Sequence, residues 1–140
     1  MTELPDDIRI RQAILADIDK LEAFITPFVE QNKILPRTVD ELNLLAHSGF
    51  VAFKGEEIIG FAALEIYSPK LAEIRSLAVA DNYRNIGVGK KLVVSCIDLA
   101  RNKNVLEVMV VTSSEEFFQS CGFDFTLPGQ KKALFLQTRD

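Results

Sequence analysis

Two glycines at the start of a helical pattern form the segment of this sequence with the clearest chemical meaning. Gly87 and Gly89 stand two positions apart, and Arg84, Lys90 and Lys91 surround them. Glycine lacks a Cβ, so a ligand can approach the backbone closely there. The first N–H groups of a helix have no partner within the helix and lie at its positive end, where a phosphate or pyrophosphate can bind. The segment therefore indicates an anion site, the alternative being a tight turn without a ligand.

Two better-known phosphate motifs do not fit this spacing. A P-loop needs a glycine five positions before the Gly-Lys pair and Ser or Thr after the lysine, but Arg84 and Lys91 occupy these positions. A dinucleotide fingerprint needs a third glycine where Leu92 stands. Neither nucleotide-binding class is indicated.

Glu73, in the strand pattern before this segment, is the candidate general base. A carboxylate can accept a proton from a substrate directly or through a water molecule. Strand alternation predicts that Glu73, Arg75, Leu77 and Val79 share one face. A structural ion pair between Glu73 and Arg75 is therefore the alternative.

Composition excludes several other chemistries. The 140 residues carry 16 Lys+Arg and 20 Asp+Glu, and the net charge of −4 argues against nonspecific nucleic-acid or anionic-membrane binding. No apolar run reaches the about 20 residues that span a bilayer, and we expect a cytoplasmic protein with one domain over residues 1–140. Two cysteines and one histidine argue against a disulfide framework, a zinc site and a Cys-His or Ser-His-Asp nucleophile, and no metal is expected.

Hydrophobic periodicity predicts the elements that must position these residues. Strands are expected at 8–11, 49–54, 58–66, 71–79, 106–111 and 132–138, and the apolar run 106–111 is expected to be covered on both faces. Helices are expected from a cap at Asp17, from a capping box at Thr38 and Glu41, over 87–103 and over 114–120. The order predicts a mixed sheet with helices on its faces, in the α/β or α+β class.

Two motifs resemble a known family. Arg84-Asn85-Ile86-Gly87-Val88-Gly89 resembles the Arg/Gln-x-x-Gly-x-Gly/Ala signature of the GNAT superfamily of N-acetyltransferases, and 117–123 resembles its later aromatic-x-x-x-Gly-Phe motif. The resemblance implies a mostly antiparallel sheet of six to seven strands, with helices on both faces and splayed central strands. It implies acetyl-CoA as cosubstrate, without a metal. The cofactor-binding residues it implies are Leu77, Ala78, Val79, Arg84, Asn85, Ile86, Gly87, Val88, Gly89, Lys90, Ser114, Phe117 and Phe118.

Within that superfamily, the chain is most similar to the acetyltransferase domain of bacterial N-acetylglutamate synthases and related amino-acid N-acetyltransferases. Ile34-Leu35-Pro36-Arg37-Thr38 resembles their Leu-Leu-Pro-Arg-Ser segment, and 73–79 resembles their Glu-Leu-Ala-Cys-Leu-Ala-Val strand. The resemblance implies that Arg37 and Arg139 bind substrate carboxylates, which a guanidinium grips through two parallel hydrogen bonds. For Arg37 the alternative is an ordinary surface arginine. Arg75 and Ser76, which replace Ala and Cys, would also border the acceptor.

The leaving thiolate needs a proton donor, and here the chain departs from many members of the superfamily. Their tyrosine, four residues before the motif glycine, is replaced by Phe118. The synthases resembled above have a hydroxyl residue upstream, which matches Thr112, so Thr112 joins Glu73 as a candidate catalytic residue. Water is the alternative donor, since a thiol with a pKa of about 8.5 leaves readily.

We therefore expect an acetyl-CoA-dependent N-acetyltransferase that acts by direct transfer on a small amine, with glutamate or a similar α-amino acid as the first candidate. The alternatives are a peptide N-terminus, a polyamine or another small amine as acceptor, or a non-catalytic acyl-CoA-binding regulatory module. Neither nucleic acid nor a membrane is expected as a partner, and the resemblance allows a homodimer.

Overall fold

The computed structural model describes residues 4–138, which form a mixed five-stranded sheet with helices on both faces. The strands follow the order β1 to β5 across the sheet, and all neighbours are antiparallel except β4 and β5. The strands are β1 (Ile8–Gln12), β2 (Gly49–Lys54), β3 (Glu57–Ser68), β4 (Leu71–Val79) and β5 (Glu107–Met109). The helices are α1 (Ile18–Glu30), α2 (Val39–Ala46), α3 (Val88–Asn102) and α4 (Glu115–Ser120), with short 3₁₀ turns at Leu15–Asp17 and Asp81–Tyr83.

The sheet separates two hydrophobic cores because alternate residues of a strand face opposite sides. Phe61 of β3 packs with Leu21 of α1 and Leu42 of α2 on one side. Ile59 and Leu64, also of β3, pack with Leu92 of α3 on the other. The predicted mostly antiparallel sheet with helices on both faces is confirmed.

The number of strands is lower than predicted. Residues 132–138 form no strand, and the side chains of Leu134, Phe135 and Leu136 are 91%, 72% and 85% exposed. A strand is stabilised by the partner beside it, and an apolar run does not reveal whether a partner edge is present. The prediction of a strand at 132–138 is therefore wrong.

The strand expected at 106–111 is shorter and more exposed than predicted. Only Glu107–Met109 pair with β4, while Leu106 and Val111 are 79% and 58% exposed. Within β5, Glu107 is exposed, and Val108 and Met109 are only partly buried. The expectation of a strand buried on both sides is wrong.

Two predicted helix caps have different outcomes. Thr38 and Glu41 form the expected capping box, with Thr38 Oγ1 accepting from the Glu41 N–H at 3.1 Å and Glu41 Oε1 accepting from the Thr38 N–H at 2.9 Å. Asp17 makes no side-chain cap on α1. Its carboxylate accepts from the Ile14 N–H at 2.8 Å and pairs with Arg11, so the predicted cap is corrected to a link between α1 and β1.

Candidate active site

β4 and β5 separate part of the way along the sheet. They pair only where Leu71–Glu73 face Glu107–Met109, although β4 continues to Val79. Beyond Glu73, the edge of β4 that would face β5 has no strand partner among residues 4–138. The predicted splay of the central strands is confirmed, and it leaves backbone N–H and C=O groups free to pair with the amides of an extended ligand arm.

A bulge in β4 lies within this opening. Arg75 pairs with Ala63 and Ala78 with Phe61, so three steps along β4 match two along β3. Ser76 sits in the bulge with φ +58°, in the left-handed region that non-glycine residues seldom adopt. An extra residue in one strand changes which side chains share a face, and no feature of the sequence predicted it.

The bulge overturns one prediction about faces. Leu77 and Val79 pack with Ile74 in the core beneath α3. Glu73 and Arg75, which alternate with Ile74, therefore lie on the opposite face, the one that carries α1 and α2. The expectation that Glu73, Arg75, Leu77 and Val79 share one face is wrong.

The N-terminus of α3 adjoins the open edge of β4. Gly87 caps the helix with φ +98°, and the first bond within the helix runs from the Lys91 N–H to the Gly87 carbonyl at 3.0 Å. A Cβ at Gly89 would lie 3.4 Å from Phe117 Cζ and 3.6 Å from Val79 Cγ2. β4, α3 and α4 thus meet at Gly89, and the free N–H groups of α3 offer a place for an anion. These features fit a molecule with an amide-bearing arm and a pyrophosphate.

Glu73 belongs to a cluster of four polar side chains on β3 and β4. It is 9% exposed, and its Oε1 accepts a hydrogen bond from the Tyr67 hydroxyl. Arg75 Nη1 lies 3.6 Å from the same oxygen and 2.8 Å from Glu65 Oε2. Tyr67 also lies 3.2 Å from Glu65 Oε2. Glu73, the candidate base, therefore also lies within ion-pair distance of Arg75, which was the alternative interpretation.

The surroundings in this cluster raise the pKa values of Tyr67 and Arg75. Burial and the hydrogen bond to Glu73 raise the pKa of Tyr67 to about 12. Burial lowers the pKa of Arg75, but the contact with Tyr67 and the charges of Glu73 and Glu65 outweigh it and raise the pKa overall. At neutral pH, Tyr67 is a hydrogen-bond donor and Arg75 is a cation.

Tyr67 and Glu65 were missed by the sequence analysis, because a bulge in β3 sets their position relative to Glu73. The Ser68-Pro69-Lys70 turn joins β3 to β4, and a short turn fixes the register of the strands that it connects. A bulge at Tyr67 shifts that register by one residue and places Glu65 directly opposite Glu73. Counting back from the turn without this bulge would have placed Ile66 opposite Glu73, so the local sequence did not reveal the cluster.

Arg37 lies before α2, on the same side of the sheet as Glu73. Its side chain is 11% exposed, and Nη1 lies 3.9 Å from Glu41 Oε2. Its Nε is buried without a hydrogen-bond partner in the described part of the chain. No hydrogen bond or ion pair joins it to the Glu73 cluster within residues 4–138. Arg139 lies outside the described residues.

The remaining candidates lie around α4. Thr112 Oγ1 accepts a hydrogen bond from the Ser114 N–H at 2.8 Å, and its hydroxyl proton is not used in that contact. Phe118 is 5% exposed and packs edge-on against Phe117 and Phe123, with ring centroids 5.0 and 5.6 Å away. Phe118 is therefore a core residue, while Phe117 contacts the glycine loop.

Other reactive groups in the structure do not form a competing site. Cys96 is fully buried, and burial raises the pKa of its thiol to about 12, so it stays protonated. Within residues 4–138, no group of three or more His, Cys, Asp or Glu side chains could hold a metal ion. The helices in the described region are all too short or too polar to cross a bilayer.

Comparison with known proteins identifies the family. Residues 15–123 match the Acetyltransferase (GNAT) family. An uncharacterized N-acetyltransferase of Chlorobaculum tepidum is 34% identical over 117 residues, which cover 84% of this chain and 76% of that protein. An amino-acid acetyltransferase of Neisseria meningitidis is 30% identical over 125 residues, which cover 83% of this chain but 27% of that enzyme.

A solved structure agrees with these matches. The N-acetylglutamate synthase of Neisseria gonorrhoeae, complexed with coenzyme A and N-acetyl-glutamate, superposes with a TM-score of 0.72 and 26% identity over 81% of this chain and 27% of that one. The splayed strands, the glycine loop at α3 and these matches lead to one conclusion: the chain belongs to the GNAT family of acetyltransferases, which use acetyl-CoA.

Proposed function

We propose that this chain transfers the acetyl group of acetyl-CoA to the amine of a small amino acid, with glutamate as the first candidate. The observation that carries the acceptor class is Arg37, a largely buried guanidinium whose Nε has no partner among the described residues. Leaving a buried donor unpaired is costly, so a carboxylate that supplies the missing bond would bind favourably. The names of the Neisseria relatives, an amino-acid acetyltransferase and an N-acetylglutamate synthase, support the same class.

In this proposal, the open edge of β4 holds the donor. Backbone groups of Leu77, Ala78 and Val79 pair with the pantetheine arm, and the loop from Arg84 to Lys90 holds the pyrophosphate at the start of α3. Acetyl-CoA supplies the activated acyl group when bound. N–H groups of the β4 bulge are the proposed donors that stabilise negative charge as it develops on the carbonyl oxygen.

Glu73 is the proposed base. Its carboxylate takes one proton from the acceptor ammonium, and the neutral amine then attacks the thioester carbon. As the carbon–sulfur bond breaks, the nitrogen loses its second proton, which replaces the one that the sulfur takes from its donor. Thr112, whose hydroxyl donates no hydrogen bond within residues 4–138, is the proposed donor to the departing sulfur, with water as the alternative. Arg75 and Ser76 border the acceptor in this account.

A cationic acceptor is the second candidate. Within the Glu73 cluster, two carboxylates face one guanidinium, and the whole chain has a net charge of −4. Such a balance attracts a polyamine or a peptide N-terminus. The two candidates differ in what they require of Arg37, because only an anionic acceptor pairs with it.

The test of the acceptor class compares Arg37→Ala with Arg101→Ala, a change at an arginine whose side chain is 78% exposed on α3. Losing a charged hydrogen-bonding partner should raise the KM for glutamate about 10- to 100-fold in Arg37→Ala. Arg101→Ala should leave it unchanged, and neither variant should alter the KM for acetyl-CoA. An unchanged glutamate KM in Arg37→Ala, or turnover confined to polyamines, would refute the carboxylate role.

A further inference from the structure

Tyr67 holds one oxygen of the candidate base. Its hydroxyl lies 2.5 Å from Glu73 Oε1, and Arg75 Nη1 lies 3.6 Å from that same oxygen. Within residues 4–138, no hydrogen bond is made to the other oxygen of Glu73, Oε2. The carboxylate therefore has one engaged oxygen and one available oxygen.

Tyr67 also contacts the cation that competes for this carboxylate. Arg75 Nη1 lies 3.3 Å from the Tyr67 hydroxyl and 2.8 Å from Glu65 Oε2. An arginine without other partners tends to grip a carboxylate through both of its oxygens. Glu65 and Tyr67 together keep the guanidinium at the longer distance of 3.6 Å from Glu73.

We propose that Tyr67 is a positioning residue for Glu73: its hydroxyl fixes Oε1, keeps Arg75 from closing on the carboxylate and leaves Oε2 for the acceptor amine. This inference rests on the proposed function of Glu73. The raised pKa of Tyr67, about 12, is consistent with the role because the phenol keeps its proton over the range in which an amine acceptor is used. The residue is about half exposed, so removing its hydroxyl does not open a core cavity.

The test is Tyr67→Phe, with Tyr83→Phe as the matched control. The Tyr83 hydroxyl makes no side-chain hydrogen bond within the described residues, so its removal is the same chemical change without the contact. We expect Tyr67→Phe to lower kcat about 10- to 100-fold, the range for one hydrogen bond to a charged group. The KM for acetyl-CoA and the rise in Tm caused by CoA should not change, and Tyr83→Phe should behave as the wild type.

A double variant separates this inference from the function on which it rests. If Tyr67 acts through Glu73, then Tyr67→Phe should lower kcat no further in a Glu73→Gln background, measured at pH 9 where more of the amine is neutral. An unchanged kcat in Tyr67→Phe, or an equal loss in both backgrounds, would overturn the positioning role. Full activity of Glu73→Gln alone would instead remove Glu73 as the base, which is a failure of the proposed function.

Discussion

Asp17 is the buried carboxylate that connects the first strand to the first helix. It is 6% exposed, and its two oxygens accept from Arg11 Nη1 and Nη2 at 2.8 and 2.9 Å. The hydrogen bonds from Arg11, together with the Ile14 N–H, lower the pKa of Asp17 below its ordinary value, against the opposing effect of burial. A bidentate pair of this kind is stronger than a typical surface ion pair because its geometry is fixed.

This pair predicts a pH dependence of stability. A carboxyl group with a lowered pKa stabilises the fold above its unfolded value of about 3.9, and that contribution is lost as the pH falls through the lower folded value. Asp17→Asn should lower the free energy of unfolding at pH 7 by about 1 to 3 kcal/mol and by less at pH 3. Urea unfolding at both pH values measures this.

The matched control is Asp19→Asn, a change at an exposed carboxylate in the first turn of the same helix. It should cost only about 0.3 to 1 kcal/mol, the size of a helix-dipole interaction. Equal losses for the two variants, or an Asp17→Asn loss that does not diminish at pH 3, would contradict this account of Asp17.

At the scale of elements, α3 connects the cores to the anion site. Val88, Leu92, Val93 and Cys96 are buried against the sheet, while Gly87 and Gly89 are partly exposed at the first turn. The helix is therefore fixed by packing along one face, and its N-terminus is held beside the open edge of β4. This arrangement makes the loop before α3, which begins at Arg84, the expected contact for a pyrophosphate.

That placement predicts a selective effect of Arg84→Ala. Loss of one cationic partner should raise the KM for acetyl-CoA about 5- to 50-fold. Acetyl-pantetheine, which lacks the pyrophosphate, should show the same KM with the variant as with the wild type. Lys103→Ala, at the other end of α3, is the control and should change neither KM. A rise for acetyl-pantetheine as large as for acetyl-CoA would place Arg84 elsewhere than at the pyrophosphate.

Elements with a strong local signal were predictable from the sequence. The apolar period of α3, the capping box at Thr38 and the bounds of β4 at Leu71 and Val79 all follow from local patterns, and the structure confirms them. The glycine motif before α3 likewise indicated the acetyltransferase family and its cosubstrate, acetyl-CoA. These features depend on neighbouring residues, which a single sequence displays directly.

Features that depend on distant partners were not predictable in this way. The bulge at Ser76 arises from the match between β3 and β4, and it reverses the face assigned to Leu77 and Val79. The position of Tyr67 beside Glu73 depends on the same register. Residues 132–138 have an apolar pattern, but whether they pair depends on an edge elsewhere in the fold.

At the scale of the whole molecule, the sheet divides the two halves of the proposed reaction. The glycine loop and α3 lie on one side of the sheet, while Glu73, α1, α2 and the Arg37 segment lie on the other. The opening between β4 and β5 connects the sides. A donor bound along β4 can therefore present its acyl group to an acceptor that approaches from the α1–α2 side.

The most direct test is the release of CoA thiol from acetyl-CoA with L-glutamate as acceptor, compared between the wild type and Glu73→Gln. Lysine, a polyamine and a peptide serve as the alternative acceptors. The account predicts turnover on glutamate and a loss of about 100-fold or more in kcat for Glu73→Gln, the range for a general base. The absence of thiol release with glutamate, or full activity of Glu73→Gln, would contradict it.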